Sequence, residues 1–264
     1  MTQEAARNSG WGAAGASLAV LVVFLTAWEW LPGLLKIPAF LLPPASKVWG
    51  EFLRMLANDA LMAHSTITAL EVLVGFALGS LLGMAIGYVL GMSPRAEVVL
   101  SPYILALQIA PKVAFAPLFV MWLGYTVYPK ILVAILIVFF PVMVNVLTAV
   151  RNVDPDMVNL ARAFSATRWQ IFKKVEYPAS LPPLFSGLRI GATLAVIGVV
   201  VGELVGGNKG LGYLLTFGEG HGNTAMVFVS IIMLTLIGIV AYGAVILVER
   251  RVLHYVPRAQ YQTA

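Results

Sequence analysis

The side chains with chemistry to offer are few, and those that stand out are charges placed inside apolar runs. Lys112 follows Pro111 within one such run, and Glu71 and Glu203 are isolated carboxylates in two others. An ionisable group at membrane depth is costly, and it faces a water-filled pathway or pairs with another charge. Beside a proline break, Lys112 reads as a pathway or gate residue, as half of an ion pair between packed helices, or as a side chain snorkelling to an interface. Pro111, Pro117, Glu203 and Glu71 join it as pathway or gate candidates. For the two glutamates, a position at the boundary of a span fits equally well.

Covalent chemistry finds no machinery in the sequence. His64, His221 and His254 lie far apart, with no H-E-x-x-H pair and no cluster of carboxylates, so no metal site is expected. The run Gly206-Gly207-Asn208-Lys209-Gly210 looks like a phosphate loop in its glycines but lacks the G-K-[ST] ending. No G-x-S-x-G nucleophile elbow is present either. The reading is a chain that is not an enzyme and holds no cofactor of its own.

The elements that must position these charges follow from composition. The chain has 264 residues, of which 60% are hydrophobic and 11% charged, whereas soluble domains carry about 25% charged residues. Mean hydropathy is +0.89. Zero cysteines removes disulfides and thiolate metal sites together. The formal net charge of +5 belongs to basic residues flanking apolar runs, which points to membrane orientation in a lipid bilayer rather than to nucleic acid. Six apolar stretches of about the length that crosses a bilayer are expected at 13–35, 65–92, 98–123, 131–150, 184–205 and 225–248. The expectation is an all-α integral membrane protein, a single transmembrane domain over 1–264.

Orientation follows from lysine and arginine. With the N-terminus inside, Arg7, Arg95, Arg151, Arg162, Arg168, Lys173, Lys174, Arg250, Arg251 and Arg258 fall on the cytoplasmic side. Lys36, Lys47, Arg54, Lys130 and Lys209 then fall outside. Both termini are therefore expected in the cytoplasm. An external loop, 36–64, carries Val48, Trp49, Phe52, Leu53 and Leu56 beside Glu51 and Arg54, the pattern of an amphipathic helix at the interface. A cytoplasmic loop is expected at 151–183.

Three local patterns refine these elements. Gly75, Gly79, Gly83, Gly87 and Gly91 stand four apart in the second stretch, a small-residue row that lets helix backbones approach in lipid. Such a row drifts around the helix, so contact with more than one neighbour is expected, or else a seam for self-association. Pro102, Pro111 and Pro117 should bend or break the third stretch, and irregular backbone at that depth survives only inside protein or beside a cavity. The glycine-rich segment 202–212 reads either as a flexible connector or as a partly re-entrant gate.

The cytoplasmic loop holds Asn159-Leu160-Ala161-Arg162-Ala163-Phe164-Ser165-Ala166, continuing to Val175-Glu176-Tyr177-Pro178. Asp154-Pro155 supplies an N-cap followed by proline at the first helical position. Phe164, Trp169, Ile171 and Phe172 provide an apolar face. On these residues alone, the helix could lie on the membrane surface or dock in a groove of a soluble partner.

The spacing resembles the E-A-A-x3-G-x9-I-x-L-P loop of permease subunits of binding-protein-dependent ABC importers. Asn159 stands at the Glu, Leu160 and Ala161 at the two Ala, Ser165 at the Gly, Val175 at the Ile, Tyr177 at the Leu and Pro178 at the Pro. Over about 42–251, Leu42-Pro43-Pro44, Ala116-Pro117-Leu118, Trp122-Leu123-Gly124, Gly187-Leu188-Arg189, Gly202-Glu203 and Gly210-Leu211-Gly212 extend the likeness to the nitrate/sulfonate/taurine/bicarbonate group. Ser165 at the glycine position implies a turn that does not need glycine's freedom.

The resemblance implies a six-span type I importer permease in the bacterial inner membrane, with a cytoplasmic coupling helix. It further implies a second copy of the chain, two ABC ATPase subunits that bind the ATP and Mg, and an external substrate-binding protein. Residues 159–166 with Val175, Tyr177 and Pro178 would couple to the ATPase. Two copies of Lys112 facing one pathway would suit a small oxoanion. A neutral heterocyclic or aromatic nutrient is the alternative, ahead of a passive channel or an intramembrane enzyme.

Overall fold

The computed structural model describes residues 2–254, with side chains from residue 15 onward, and every regular element in that range is helical. Arg258 lies outside the described residues, as does the side chain of Arg7. In order, the elements are α1 (Thr2–Leu34), α2 (Ala45–Ala57), α3 (Ala60–Met92), α4 (Pro94–Ile109), a 3-10 turn (Lys112–Phe115), α5 (Ala116–Leu123), α6 (Tyr128–Arg151), α7 (Pro155–Ala163) and α8 (Arg168–Ile171). A π-helical segment (Phe172–Glu176), α9 (Tyr177–Gly206), α10 (Leu211–Gly220) and α11 (Thr224–Val252) follow.

The chain divides into two compact units: the segment up to Met62 with Leu214–Ile232, and Ala63–Tyr213 with the chain from Met233. In the smaller unit, the carboxylate of Glu29 accepts from the Ser46 N–H at 2.8 Å and the Ser46 hydroxyl at 2.7 Å. The one charge inside the first span therefore caps the start of α2. Trp28 Nε1 donates to the Pro43 carbonyl, and Asn223 Nδ2 donates to Glu51. The amphipathic helix expected within the 36–64 loop is α2, which buries Val48 and Met55 and exposes Trp49, Leu53 and Leu56.

In the larger unit α6 is the central helix. An added Cβ at Gly75, Gly79, Gly83, Gly87 or Gly91 of α3 would strike α6 at or beside Ala134, Val138, Val142, Val146 and Val150 respectively. The row thus meets one neighbour along its whole length, which corrects the expectation of several. Each helix contributes a row of residues four apart, and helices cross so that two such slanted rows align.

The partner number on α6 rises in step along α3, so the two helices run parallel. On α9 it falls: Gly187 faces Asn145, Gly198 faces Ala134 and Gly202 faces Lys130. That pair is antiparallel.

Parallel α3 and α6 decide the status of the bent pair between them. Five helices are long and apolar enough to span a bilayer, and α4 with the 3-10 turn and α5 forms a sixth candidate bent by 77°. A re-entrant loop would return the chain to the side it left and make α6 antiparallel to α3. The pair is therefore one crossing, which brings the candidate spans among the described residues to six. The break falls at Pro111, while Pro102 is held inside α4 and Pro117 sits in the first turn of α5, where a missing N–H goes unnoticed.

Two boundaries move. The second span begins at Ala60, before the expected Ser65, and the fifth begins at Tyr177 rather than Leu184, with Pro178 in its first turn and Pro182 and Pro183 inside. The expected loop 151–183 is correspondingly shorter.

Candidate functional site

At one end of the larger unit, around Glu203, the isolated charges converge. Lys130 Nζ lies 2.9 Å from Glu71 Oε1, and both side chains are at least 96% buried. Lys130 is thus a buried residue in the first turn of α6, not the outer-loop cation expected from its place beside the fourth span. The same ammonium reaches the Lys209 carbonyl at 3.3 Å. Glu203 accepts from the Thr68 hydroxyl at 2.7 Å and from the Gly212 N–H at 2.5 Å, while Thr68 accepts from the Leu211 N–H at 2.8 Å. Two orphan donors at the start of α10 are thereby satisfied by buried side chains. The Gly210 N–H donates to His64 Nδ1 at 2.9 Å. Gly210 has φ +109°, and a Cβ there would overlap the Glu203 carboxylate, so only glycine fits.

The turn 207–210 is therefore fastened from α3, α6 and α9 together, with Asn208 and Lys209 exposed at its tip. Thr68, His64 and Lys130 escaped sequence reasoning. For Lys130 a signal existed, since Tyr128-Pro129 is a helix start that puts Lys130 in the first turn.

Lys112 joins none of this. Its Nζ donates to the Gln108 carbonyl and stands 4.9 Å from the centre of the Phe140 ring. It has no carboxylate partner among the described residues, so it is not half of an ion pair with Glu71 or Glu203. Aromatic rings gather around the break. Phe115 stacks near Phe119 at 6.2 Å, Phe119 approaches Trp122 at 6.0 Å, and Phe139 meets Phe140 edge-on at 4.9 Å. Pro111 and Pro117 are exposed beside them, and Trp122 is 65% exposed.

At the opposite end of α9 lies the 159–178 element. Asp154 caps α7 by accepting from the Asp156 N–H at 2.8 Å, with Pro155 at the first position. Thr167 and Gln170 form a reciprocal capping box for α8. Ser165 adopts φ +55°. The Ser165 N–H donates to the Arg162 carbonyl and the Ala166 N–H to the Ala161 carbonyl, the paired bonds of a Schellman close. The turn does need left-handed backbone, contrary to the expectation drawn from serine at the glycine position.

The expected apolar face divides. Ile171 is buried, and Phe172 packs on Tyr88, Trp169 and Tyr177. Phe164 is 80% exposed, with Leu160, Met157 and Trp169 also largely open. Asn159, Arg162, Ala163 and Ser165 are exposed, whereas Ala161, Ala166, Val175 and Pro178 are half-buried. No group of three or more metal-ligating side chains exists among the described residues.

Comparison with known proteins gives this geometry a context. Residues 75–254 match the family model described as the binding-protein-dependent transport system inner membrane component. The riboflavin transport system permease protein RibX of Chloroflexus aurantiacus is 40% identical over 91% of this chain and 89% of its own. The putative aliphatic sulfonates transport permease protein SsuC of Bacillus subtilis is 33% identical over 88% and 84%. A chain of the MetNI methionine ABC transporter in an inward-facing conformation superposes with a TM-score of 0.57 at 20% identity, covering 72% of this chain and 94% of its own. With six spans, the fastened turn and the exposed α7 now placed, the match over most of the chain has one meaning: the chain belongs to the binding-protein-dependent transport system inner membrane components, as a multi-pass permease subunit of an ABC importer.

Proposed function

We propose that this permease imports a flat heteroaromatic nutrient. Two copies would form the pathway, two ABC ATPase subunits would seat on α7, and an external binding protein would deliver the solute at the Glu203 end. Lys130, withdrawn into the protein, leaves only Lys36, Lys47, Arg54 and Lys209 as outer cations, which favours both termini in the cytoplasm of a bacterium with the membrane between. ATP closure in the partner would pull the 159–178 element.

The observation that carries the substrate class is the run of aromatic side chains just after the Pro111 break, Phe115, Phe119 and Trp122, each ring about 6 Å from the next. Flat rings stack on such surfaces, and the 40%-identical relative is a riboflavin permease. The oxoanion reading is less well supported. Its cation, Lys112, is engaged by the Gln108 carbonyl and the Phe140 ring, and the sulfonate permease is the less similar of the two relatives.

The test is uptake by the full transporter in liposomes, with riboflavin and an alkanesulfonate as probes. Trp122→Leu keeps apolar bulk but removes a ring, and should lower riboflavin uptake about fivefold. Lys112→Met should change it less than about twofold, since no charge on the solute is being answered. Sulfonate uptake that vanishes in Lys112→Met, with riboflavin ignored by the unaltered protein, would restore the oxoanion.

A further inference from the structure

A second polar site lies at the α7 end, away from both the aromatic break and the fastened turn. A cleft of about 280 Å³ opens where α3 ends, α6 ends and α7 begins. Val150 and Val158 form its apolar wall, and Asn159, Arg162, Arg168 and Glu176 its polar one. Arg151 also borders it, but its guanidinium is taken by Glu97. The other four polar side chains have no hydrogen-bond or ion-pair partner among the described residues. Two free guanidinium groups against one free carboxylate leave a single uncompensated positive charge.

We propose that this cleft binds the headgroup phosphate of an anionic glycerophospholipid. Its level is right, because the apolar stretches of α3 and α6 stop at Met92 and Arg151, where lipid headgroups begin. Guanidinium groups bind phosphate oxygens in pairs, and basic pockets between spans on the cytoplasmic side take anionic headgroups. The valine wall suits the glycerol and the first methylenes.

Glu176 selects among phosphates. A phosphodiester carries one negative charge and balances the cleft, whereas free phosphate near neutral pH carries more and meets the carboxylate with repulsion. A lipid held here bridges α3 and α7 and so fixes the element that faces the ATPase. The inference rests on the membrane assignment alone and is independent of the substrate.

Native mass spectrometry of the purified full chain, with dioleoyl phosphatidylglycerol, phosphatidylcholine and inorganic phosphate as probes, tests it. The phosphatidylglycerol adduct should persist where the phosphatidylcholine adduct is lost. Arg162→Gln with Arg168→Gln should weaken it about thirtyfold, the product of two headgroup-level arginines. Arg250→Gln with Arg251→Gln makes the same charge change in the last turn of α11, where the neighbouring Glu249 pairs with Arg189 of α9 at 3.5 Å and none of these residues lines the cleft. That control should move retention less than about twofold. Glu176→Gln should let inorganic phosphate bind.

Equal retention in the cleft variant, or equal loss in the control, would overturn the site. Inorganic phosphate bound by the unaltered chain as tightly as the lipid would replace it with a free-anion site.

Discussion

The two ends of α9 are built on opposite terms. At the Glu203 end, charges and backbone donors are buried, and Lys130, Thr68 and His64 answer them from within the chain. At the α7 end, apolar side chains are exposed, and Leu160 and Phe164 are covered by nothing among the described residues. A buried charge must find its partner before the protein is stable, whereas an exposed apolar patch waits for one from outside. One end therefore keeps its shape by itself, and the other leaves apolar surface that a partner would cover.

The largest effect that would sharpen this contrast belongs to the buried end. Lys130→Met leaves Glu71 and Glu203 without their cation and should destabilise the protein by about 3–5 kcal/mol. Thermal unfolding in detergent would register it, and adding Glu71→Leu should recover much of the loss, because an apolar pair can replace a buried ion pair. A melting temperature unmoved by the single change would show that this end is not held by its charges.

Next comes the exposed end. Phe164→Ala should weaken association with the ATPase subunit by about 2 kcal/mol, as loss of an anchoring aromatic does, while the melting temperature of the permease stays where it was. A falling melting temperature would mean that Phe164 serves the chain's own packing and would break the comparison.

The smallest effect concerns Ser165. Glycine at this left-handed position should steady the close of α7 by about 1 kcal/mol, read as slower hydrogen exchange at the Ser165 and Ala166 amides that make the Schellman bonds. Ser165→Val should speed it. Unchanged exchange in both would show that the turn carries no strain.

Most of the fold was legible because its signals are local. Apolar length marked the spans, Pro111 marked the break, and Asp154-Pro155 marked the start of α7. The buried end was not legible, since Lys130 and Glu71 are 59 residues apart, and Thr68 and Glu203 are 135 apart. A lone charge in an apolar run announces that it needs a partner without saying which. The glycine row misled for a different reason. Drift around a straight helix ignores a neighbour that crosses at the matching angle and follows the row.

The continuity of α9 has a mechanical consequence. Thirty residues of helix, with Pro182 and Pro183 confined to its second turn, about 45 Å long, join the π-helical segment after α8 to the carboxylate that fastens 207–212. A helix resists compression along its axis far more than a loop does, so α9 is a strut. The loosely wound Phe172–Glu176 turn is the joint at its foot. A displacement imposed at the foot of α9 would be carried toward Glu203, and the hydrogen bonds that hold Leu211 and Gly212 are the contacts it would load.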